Sequence, residues 1–380
     1  MQDSPISFPG LFGDWQFTAS SVAFHIGPKP IYWYGIILGI GVLMGLWLCT
    51  KQAKHYGLKE DNVVDMVLWG VPLGILGART YYVLFYLDLF RNESGGLDWK
   101  KVVAIWDGGG AIYGTVIACF LLAIVYSRVE KIKLGALTDL CVMGLLTGQM
   151  IGRWGNFMNR EAFGAATTLP WRMELWTSAS HSIEVHPTFL YESLWNLLGL
   201  LLILFVVSRG RRFDGENTWF YFLWYGLGRF WIEGLRTDSL YLFDWKLFGQ
   251  PIRVSQALSL VLVLVSAAML FFRIHIQKCS AEDLMVNQLA RAAKEADAAA
   301  DAPAAEPADA PAAEPADAPA EETEEASGTE EAGAPADAPA AEPADAPAEE
   351  PEEASGAEEA GAPADGVPPA GEDGQKGGNP

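Results

Sequence analysis

Between residues 31 and 273 the chain alternates long apolar runs with short polar linkers. Seven runs stand out, at 31–50, 63–87, 103–126, 134–151, 189–207, 219–235 and 254–273. A helix needs about 20 predominantly apolar residues to cross a hydrocarbon core, and these runs meet that length without the period-two alternation of barrel strands. The pattern predicts an all-α, polytopic membrane bundle of seven transmembrane helices. Glycines or polar residues interrupt the second, fourth and sixth runs. From about Asn287 the pattern stops, and Ala, Pro, Glu, Asp and Gly take over. There "DAPAAEPADAPAEETEEASGTEEAGAPA", from Asp309, returns almost unchanged from Asp337. So acidic a segment, with so few large apolar residues, buries too little surface to offset its ordering entropy. The expected division is a membrane domain at 1–286 and a disordered acidic C-terminal tail at 287–380.

Composition sharpens this division. Half the residues are hydrophobic, at 51%, yet the net charge is −21, and most of that acidity falls in the tail. The linkers after the first, third and fifth runs are short and basic, with Lys51, Lys54 and Lys59, then Arg128, Lys131 and Lys133, then Arg209, Arg211 and Arg212. Short basic loops face the cytoplasm, which places the N-terminus and the connections 88–102, 152–188 and 236–253 outside and the tail inside. The first residues, "MQDSPISFPGLFGDW", have neither the basic start nor the apolar core of a cleavable signal. Small residues recur every fourth position, as at Gly41 and Gly45 and at Gly144, Gly148 and Gly152. This spacing lets helix backbones approach closely in lipid. Cys49, Cys119, Cys141 and Cys279 show no metal or disulfide spacing and receive no role.

Ionisable residues inside such runs are costly and face partners or cavities. Arg79, Asp139, Glu192, Arg229 and Glu233 are of this kind. In "YGLGRFWIEGLR", Tyr225, Arg229, Glu233 and Arg236 fall at helical spacing on one stripe. In "GRWGNFMNREAFG", Arg153, Asn156 and Asn159 share a face, with Arg160 and Glu161 following and Gly155 and Gly164 permitting close backbone approach. An internal Arg229–Glu233 pair accounts for part of this polarity. Arg79, Arg153, Arg160, Arg229 and Arg236 nevertheless outnumber Glu161, Glu192 and Glu233. Guanidinium suits bidentate recognition of phosphate, so the surplus points to a phosphate-bearing, anionic ligand. The asparagines suit phosphate or glycerol oxygens.

These segments resemble the prolipoprotein diacylglyceryl transferase family. "GRWGNFMNREAFG" is similar to the family's signature, and "IYWYGIILGIG", "LGARTYYVLF", "WDGGGAIYG", "HPTFLYES" and "YGLGRFWIEGLR" match in the same order over about residues 30 to 275. The resemblance implies transfer of the diacylglyceryl group of phosphatidylglycerol to the lipobox cysteine of a preprolipoprotein, with formation of a thioether and release of glycerol phosphate. It implies a multi-pass protein of the bacterial plasma membrane whose partners are phosphatidylglycerol, preprolipoprotein signal peptides and membrane lipids. Nucleic acid is not among them, and no metal or organic cofactor is required. By motif position Arg153 and Arg229 are the essential arginines. Tyr34, Arg79, Asn156, Asn159, Glu161, Gly164, Tyr225, Glu233 and Arg236 make up the substrate-binding set. His186 and Glu192 lie in a matched segment without an assigned role.

The residue types fit that chemistry. Negative charge gathers on the leaving phosphate, and fixed cations in a low-dielectric cavity stabilise it. Where some members carry a histidine in the glycine-rich motif, this chain has Tyr113. A tyrosine, with a reference pKa of about 10, is a poor base at neutral pH, so Tyr113 joins the catalytic set as an orienting hydroxyl. The alternative from another class is a transporter or flippase for an anionic lipid. Such a protein returns its ligand unchanged, and the seven runs show no internal repeat of the kind common among transporters.

Overall fold

The computed structural model describes residues 5–92, 95–178, 181–237, 241–247 and 250–300. Seven long helices form the body: α1 (Trp33–Gln52), α2 (Glu60–Phe85), α3 (Ile112–Val129), α4 (Leu134–Asn159), α5 (Thr188–Leu202), α6 (Glu216–Leu235) and α7 (Val254–Phe271). Wider π-helical turns extend α5 to Val207 and α7 to Ile276. Six of these helices are long and apolar enough to cross a membrane. The sixth expected span, α6, is as long as α1 but less apolar, because it carries Glu216, Asn217, Arg229 and Glu233. It packs along α7 and touches α4 and α5.

The helix faces are inverted relative to a protein folded in water. Leu43, Leu68, Phe85 and Leu264 are each about two-thirds exposed (65%, 64%, 66% and 60%), while Asp139 and Asn217 are wholly buried. With lipid as solvent, apolar side chains gain nothing by facing inward, and close packing with internal hydrogen bonds must hold the bundle together. The small residues act as expected at Gly41, Gly45, Gly144 and Gly148, where α1 lies on α4. A β-carbon at Gly45 would sit 3.1 Å from the Gly144 carbonyl oxygen. A pair not singled out from sequence, Gly77 and Gly114, does the same for α2 and α3, with a β-carbon at Gly77 falling 2.5 Å from the Gly114 oxygen. Among the described residues, Gly35 and Gly39 meet no neighbour within 4 Å.

Several boundaries move. The fourth helix continues beyond residue 151 to Asn159, and so carries Arg153, Asn156 and Asn159 on regular helix. The third begins at Ile112, because Gly108 and Gly109 take positive φ (84° and 77°) and break any helix begun at 103. Strands also occur, although the apolar runs predict none. β1 (Pro5–Ser7), β2 (Gln16–Thr18), β5 (Met173–Ser178) and β6 (His181–Val185) form one antiparallel sheet in the order β2-β1-β5-β6. Two hairpins, β3–β4 (Val22–Ile26 and Lys29–Tyr32) and β7–β8 (Tyr241–Leu247 and Gln250–Arg253), precede α1 and α7. These strands are three to seven residues long and lie in the connections, where span-length patterning does not register them. The sheet covers a small core of Ile6, Ala19, Met173, Leu175, Val185 and Phe189.

At the opposite end of α4, buried polar groups join the helices. Asp139 accepts hydrogen bonds from the backbone N–H of Gly215 and Thr218 and from the Thr218 hydroxyl, each at 2.9 Å. It thereby caps the first turn of α6 from a neighbouring helix. Arg211 lies 3.6 Å from the same carboxylate and 3.9 Å above the Tyr56 ring. An eighth helix, α8 (Met285–Ala300), crosses the expected domain boundary at residue 287. Its Ala-rich sequence with Arg291, Lys294 and Glu295 favours helix over coil. The repeats at 301–380 lie outside the described residues.

The start of α8 is fastened to this end of the bundle. Met285 is buried in the main core beside Ala53, Tyr56 and Leu137, its N–H donates to Asp214 Oδ2 at 2.8 Å, and Lys133 Nζ donates to the Asp283 carbonyl at 2.8 Å. Shortening the chain after Ala300 is expected to leave thermal stability in detergent unchanged. Shortening it before Asp283 should lower the midpoint by about 4 °C or more, since a buried methionine contributes roughly 2–5 kcal/mol.

Candidate active site

The signature segment ends α4 with an unusual stop. Arg160 takes a left-handed conformation (φ 55°), and its N–H and that of Glu161 return to the Phe157 and Asn156 carbonyls, both at 3.1 Å. Glu161 then folds back beneath the helix end, where Oε1 accepts from Asn156 Nδ2 at 2.8 Å and Asn159 Nδ2 at 3.3 Å. Arg160 reaches the other way and donates to the Ala19 carbonyl at 2.5 Å. Immediately before Asn156, Gly155 receives the ring of Tyr34, which a β-carbon would contact at 2.6 Å. Asn156, Asn159 and Glu161 thus form one polar rim, with the Tyr34 ring packed on α4 beside it.

Beside this rim lies the charged centre. Glu192, one turn into α5, is 6% exposed in its side chain and gathers three guanidinium groups: Arg153 in direct contact, Arg229 at 3.2 Å and Arg236 at 3.9 Å. Glu233 pairs with Arg229 at 2.7 Å, one turn along α6, and its backbone carbonyl accepts from Arg253. The carboxylates sit deepest, at 6% and 4%, whereas Arg153, Arg229 and Arg236 are 24%, 19% and 14% exposed. Among the described residues, two buried carboxylates therefore gather three guanidinium groups, which sit nearer the accessible side. Tyr225 stacks on Tyr221 at 5.7 Å and stands within electrostatic range of Arg229, Arg153, Glu192 and Tyr113. Guanidinium groups fixed in this way have the geometry that suits bidentate recognition of phosphate and stabilisation of charge on it.

Two expected binding residues have other duties. Arg79 donates to the carbonyls of Lys101 (2.5 Å), Val102 (2.9 Å), Gly108 (2.6 Å) and Gly109 (2.8 Å), and packs over the Phe90 ring. Four of its five N–H groups are thus taken by backbone carbonyls, and it stands apart from the cluster around Glu192. Gly164 is a packing position: its N–H donates to the His186 carbonyl at 3.0 Å, and a β-carbon would lie 2.7 Å from His186 Cβ and 3.0 Å from the Leu235 oxygen. The strip 162–166 ties the start of α5 to the end of α6 in this way, with Ala165 N–H donating to the Leu235 carbonyl at 2.7 Å and the Thr188 hydroxyl donating to Ala162. His186 Nδ1 faces the Tyr191 hydroxyl at 3.2 Å.

The family model described as prolipoprotein diacylglyceryl transferase matches residues 21–272. The chain belongs to this family. Proteins named phosphatidylglycerol–prolipoprotein diacylglyceryl transferase match it at similar levels. That of Bacillus licheniformis is 39% identical over 259 residues, spanning 66% of this chain and 92% of the relative. Those of Listeria welshimeri and Geobacillus kaustophilus are 40% identical over 259 residues, spanning 66% of this chain and 89% and 92% of theirs. Within the family match lie the sheet hairpins β3–β4 and all seven long helices as far as Phe272, whereas α8 follows it.

Sequence reasoning underrated Glu192, the residue that joins the three arginines. Its signal was an isolated carboxylate at membrane depth, which needs a cationic partner. Arg253 was missed altogether, although an arginine opening the last span is a similar sign. Removing one partner of a buried ion pair costs about 3–5 kcal/mol. Glu192→Ala is therefore expected to lower the thermal midpoint in detergent far more than Glu192→Gln, which keeps hydrogen-bond acceptance. Gly164→Ala should also destabilise, since neither His186 Cβ nor the Leu235 carbonyl has room to move; an unchanged midpoint would show that the strip 162–166 yields.

Proposed function

We propose that this chain transfers the diacylglyceryl group of phosphatidylglycerol to the lipobox cysteine thiol of preprolipoproteins, the first step of bacterial lipoprotein maturation. The observation that carries this reading is the centre in which Glu192 and Glu233, buried, hold Arg153, Arg229 and Arg236 toward the accessible side. The sulfur bonds to the glyceryl carbon as the carbon–oxygen bond to phosphate breaks. The electron pair leaves with glycerol phosphate, the thiol proton is lost, and a thioether remains. Arg153 and Arg229 take up the charge on the departing phosphate, with Arg236 beside them. Asn156, Asn159, Glu161 and Tyr34 orient the glycerol headgroup, and Tyr225 and Tyr113 border the cluster. The arginines have carboxylate partners before any lipid arrives, so their geometry is set in advance.

The same reading places the protein in the bacterial plasma membrane with its N-terminus outside and its acidic tail in the cytoplasm. Supporting this, α4 runs from the basic linker at 127–133 to the arginine cluster at its far end, so that a linker held inside by its charge leaves the cluster toward the opposite face.

Purified protein incubated with phosphatidylglycerol and a lipobox peptide should add a diacylglyceryl mass to the peptide, dependent on its cysteine, and release glycerol phosphate. Arg153→Ala and Arg229→Ala should each lower kcat by about 10²–10³-fold or more, as loss of one charge-stabilising donor does elsewhere. Near-normal turnover in either, with folded protein, removes it from the phosphate-stabilising role. Lipid that binds and returns unaltered would favour the transporter reading.

A further inference from the structure

The geometry of the glycine-rich segment before α3 is set by α2. Gly108 and Gly109 adopt φ of 84° and 77° in succession, a region that L side chains rarely enter. This turns both carbonyls onto a single nitrogen, Arg79 Nη1, at 2.6 and 2.8 Å. Nε and Nη2 of the same guanidinium collect Val102 and Lys101 at 2.9 and 2.5 Å, so Arg79 binds the segment at both ends. A β-carbon at Gly109 would lie 2.8 Å from Arg79 Nη1 and 2.8 Å from Tyr82 Cε1. One further link, from Ala111 N–H to the Ala78 carbonyl at 3.1 Å, fastens the segment to the same turn of α2. Tyr113 follows two residues later in the first turn of α3, half exposed, with its ring 6.1 Å from that of Tyr81 on α2.

We propose that Arg79 is a positioning residue: with Gly108 and Gly109 it locks the loop 101–111, and the lock sets where Tyr113 stands at the start of α3. The inference rests on the transferase reading for its catalytic consequence. It replaces a phosphate-binding role for Arg79 with one exerted through the backbone. A planar guanidinium donates in several fixed directions at once, whereas an ammonium is a point charge with three donors. Lysine at position 79 therefore keeps the charge and loses the lock.

The test uses the full-length enzyme in phosphatidylglycerol vesicles with a lipobox peptide, and compares Arg79→Lys, Gly109→Ala and Tyr113→Phe. Arg79→Lys and Gly109→Ala, one altering the cation and the other the cage, should share a signature. We expect kcat to fall about tenfold or more with KM for phosphatidylglycerol within about twofold, the mark of a contribution made at the transition state. Tyr113→Phe should fall moderately, and adding it to Arg79→Lys should cost less than about twofold more, because residues acting as one unit are non-additive. Hydrogen–deuterium exchange over residues 101–111 should quicken by about tenfold in Arg79→Lys and Gly109→Ala, with exchange across α4 and α6 unchanged.

A raised KM with kcat preserved would make Arg79 a headgroup ligand and overturn the proposal. So would full additivity with Tyr113→Phe, or a Tyr113→Phe variant of full rate beside a slow Arg79→Lys. If no variant and no parent enzyme transfers lipid, the transferase reading has failed. The exchange rates then decide by themselves whether Arg79 holds the loop, and unchanged rates would overturn the lock. If Arg79→Lys does not fold, Gly109→Ala carries the same comparisons with the arginine in place.

Discussion

A charge inside a membrane must find its partner within the protein, and the arrangement around Glu192 follows from that constraint. Burying one carboxylate alone, or three guanidinium groups alone, is prohibitive in a low-dielectric medium. Placed together, they fix the relative positions of α4, α5 and α6, because Arg153 comes from the first, Glu192 from the second and Arg229 with Glu233 from the third. The carboxylates lie deeper than the guanidinium groups, so the cationic ends of the three arginines are the more accessible part of the centre.

The same constraint explains which parts of the fold were legible in the sequence. Span-length apolar runs and basic linkers are imposed by the bilayer, so all seven long helices could be placed within a few residues at most of their ends. The exceptions are instructive. The helix around Arg153 looked like an ending because polar residues at membrane depth resemble loop sequence, yet here they line a site and the helix runs on to Asn159. The run at 103 looked like the start of a helix because Val102, Val103, Ala104, Ile105 and Trp106 are apolar, but the conformations at Gly108 and Gly109 delay it to Ile112. The strands were illegible for another reason. Each is only a few residues long and depends on pairing between distant segments, such as Ile6 with Leu175, which no local pattern encodes.

The candidate site was legible as a set of residues but not as a division of labour. Sequence treats every buried arginine alike, and only the contacts separate Arg79, which is spent on four carbonyls, from Arg153 and Arg229, which face carboxylates. Likewise a glycine between polar residues reads as room for a ligand, whereas Gly164 is room for the backbone of α6. Glu192 was visible but undervalued, because a single carboxylate on α5 shows no helical stripe of its own. Its importance lies in convergence from three helices, a property of packing rather than of spacing.

Helix polarity gives the arrangement a further logic. The accumulated peptide dipoles leave partial negative charge at a helix C-terminus and partial positive charge at an N-terminus. Arg160 and Arg236 occupy the C-caps of α4 and α6, while Glu192 lies near the start of α5. Each charge therefore sits at the end of the helix that favours it. At the other end of α6, Asp139 receives the N–H groups of its first turn, so that helix is complemented at both termini by charges of the proper sign. At a helix C-terminus the backbone presents carbonyl oxygens, not N–H groups, so at the ends of α4 and α6 the donors are the guanidinium side chains, whose orientation is set against Glu192 and Glu233.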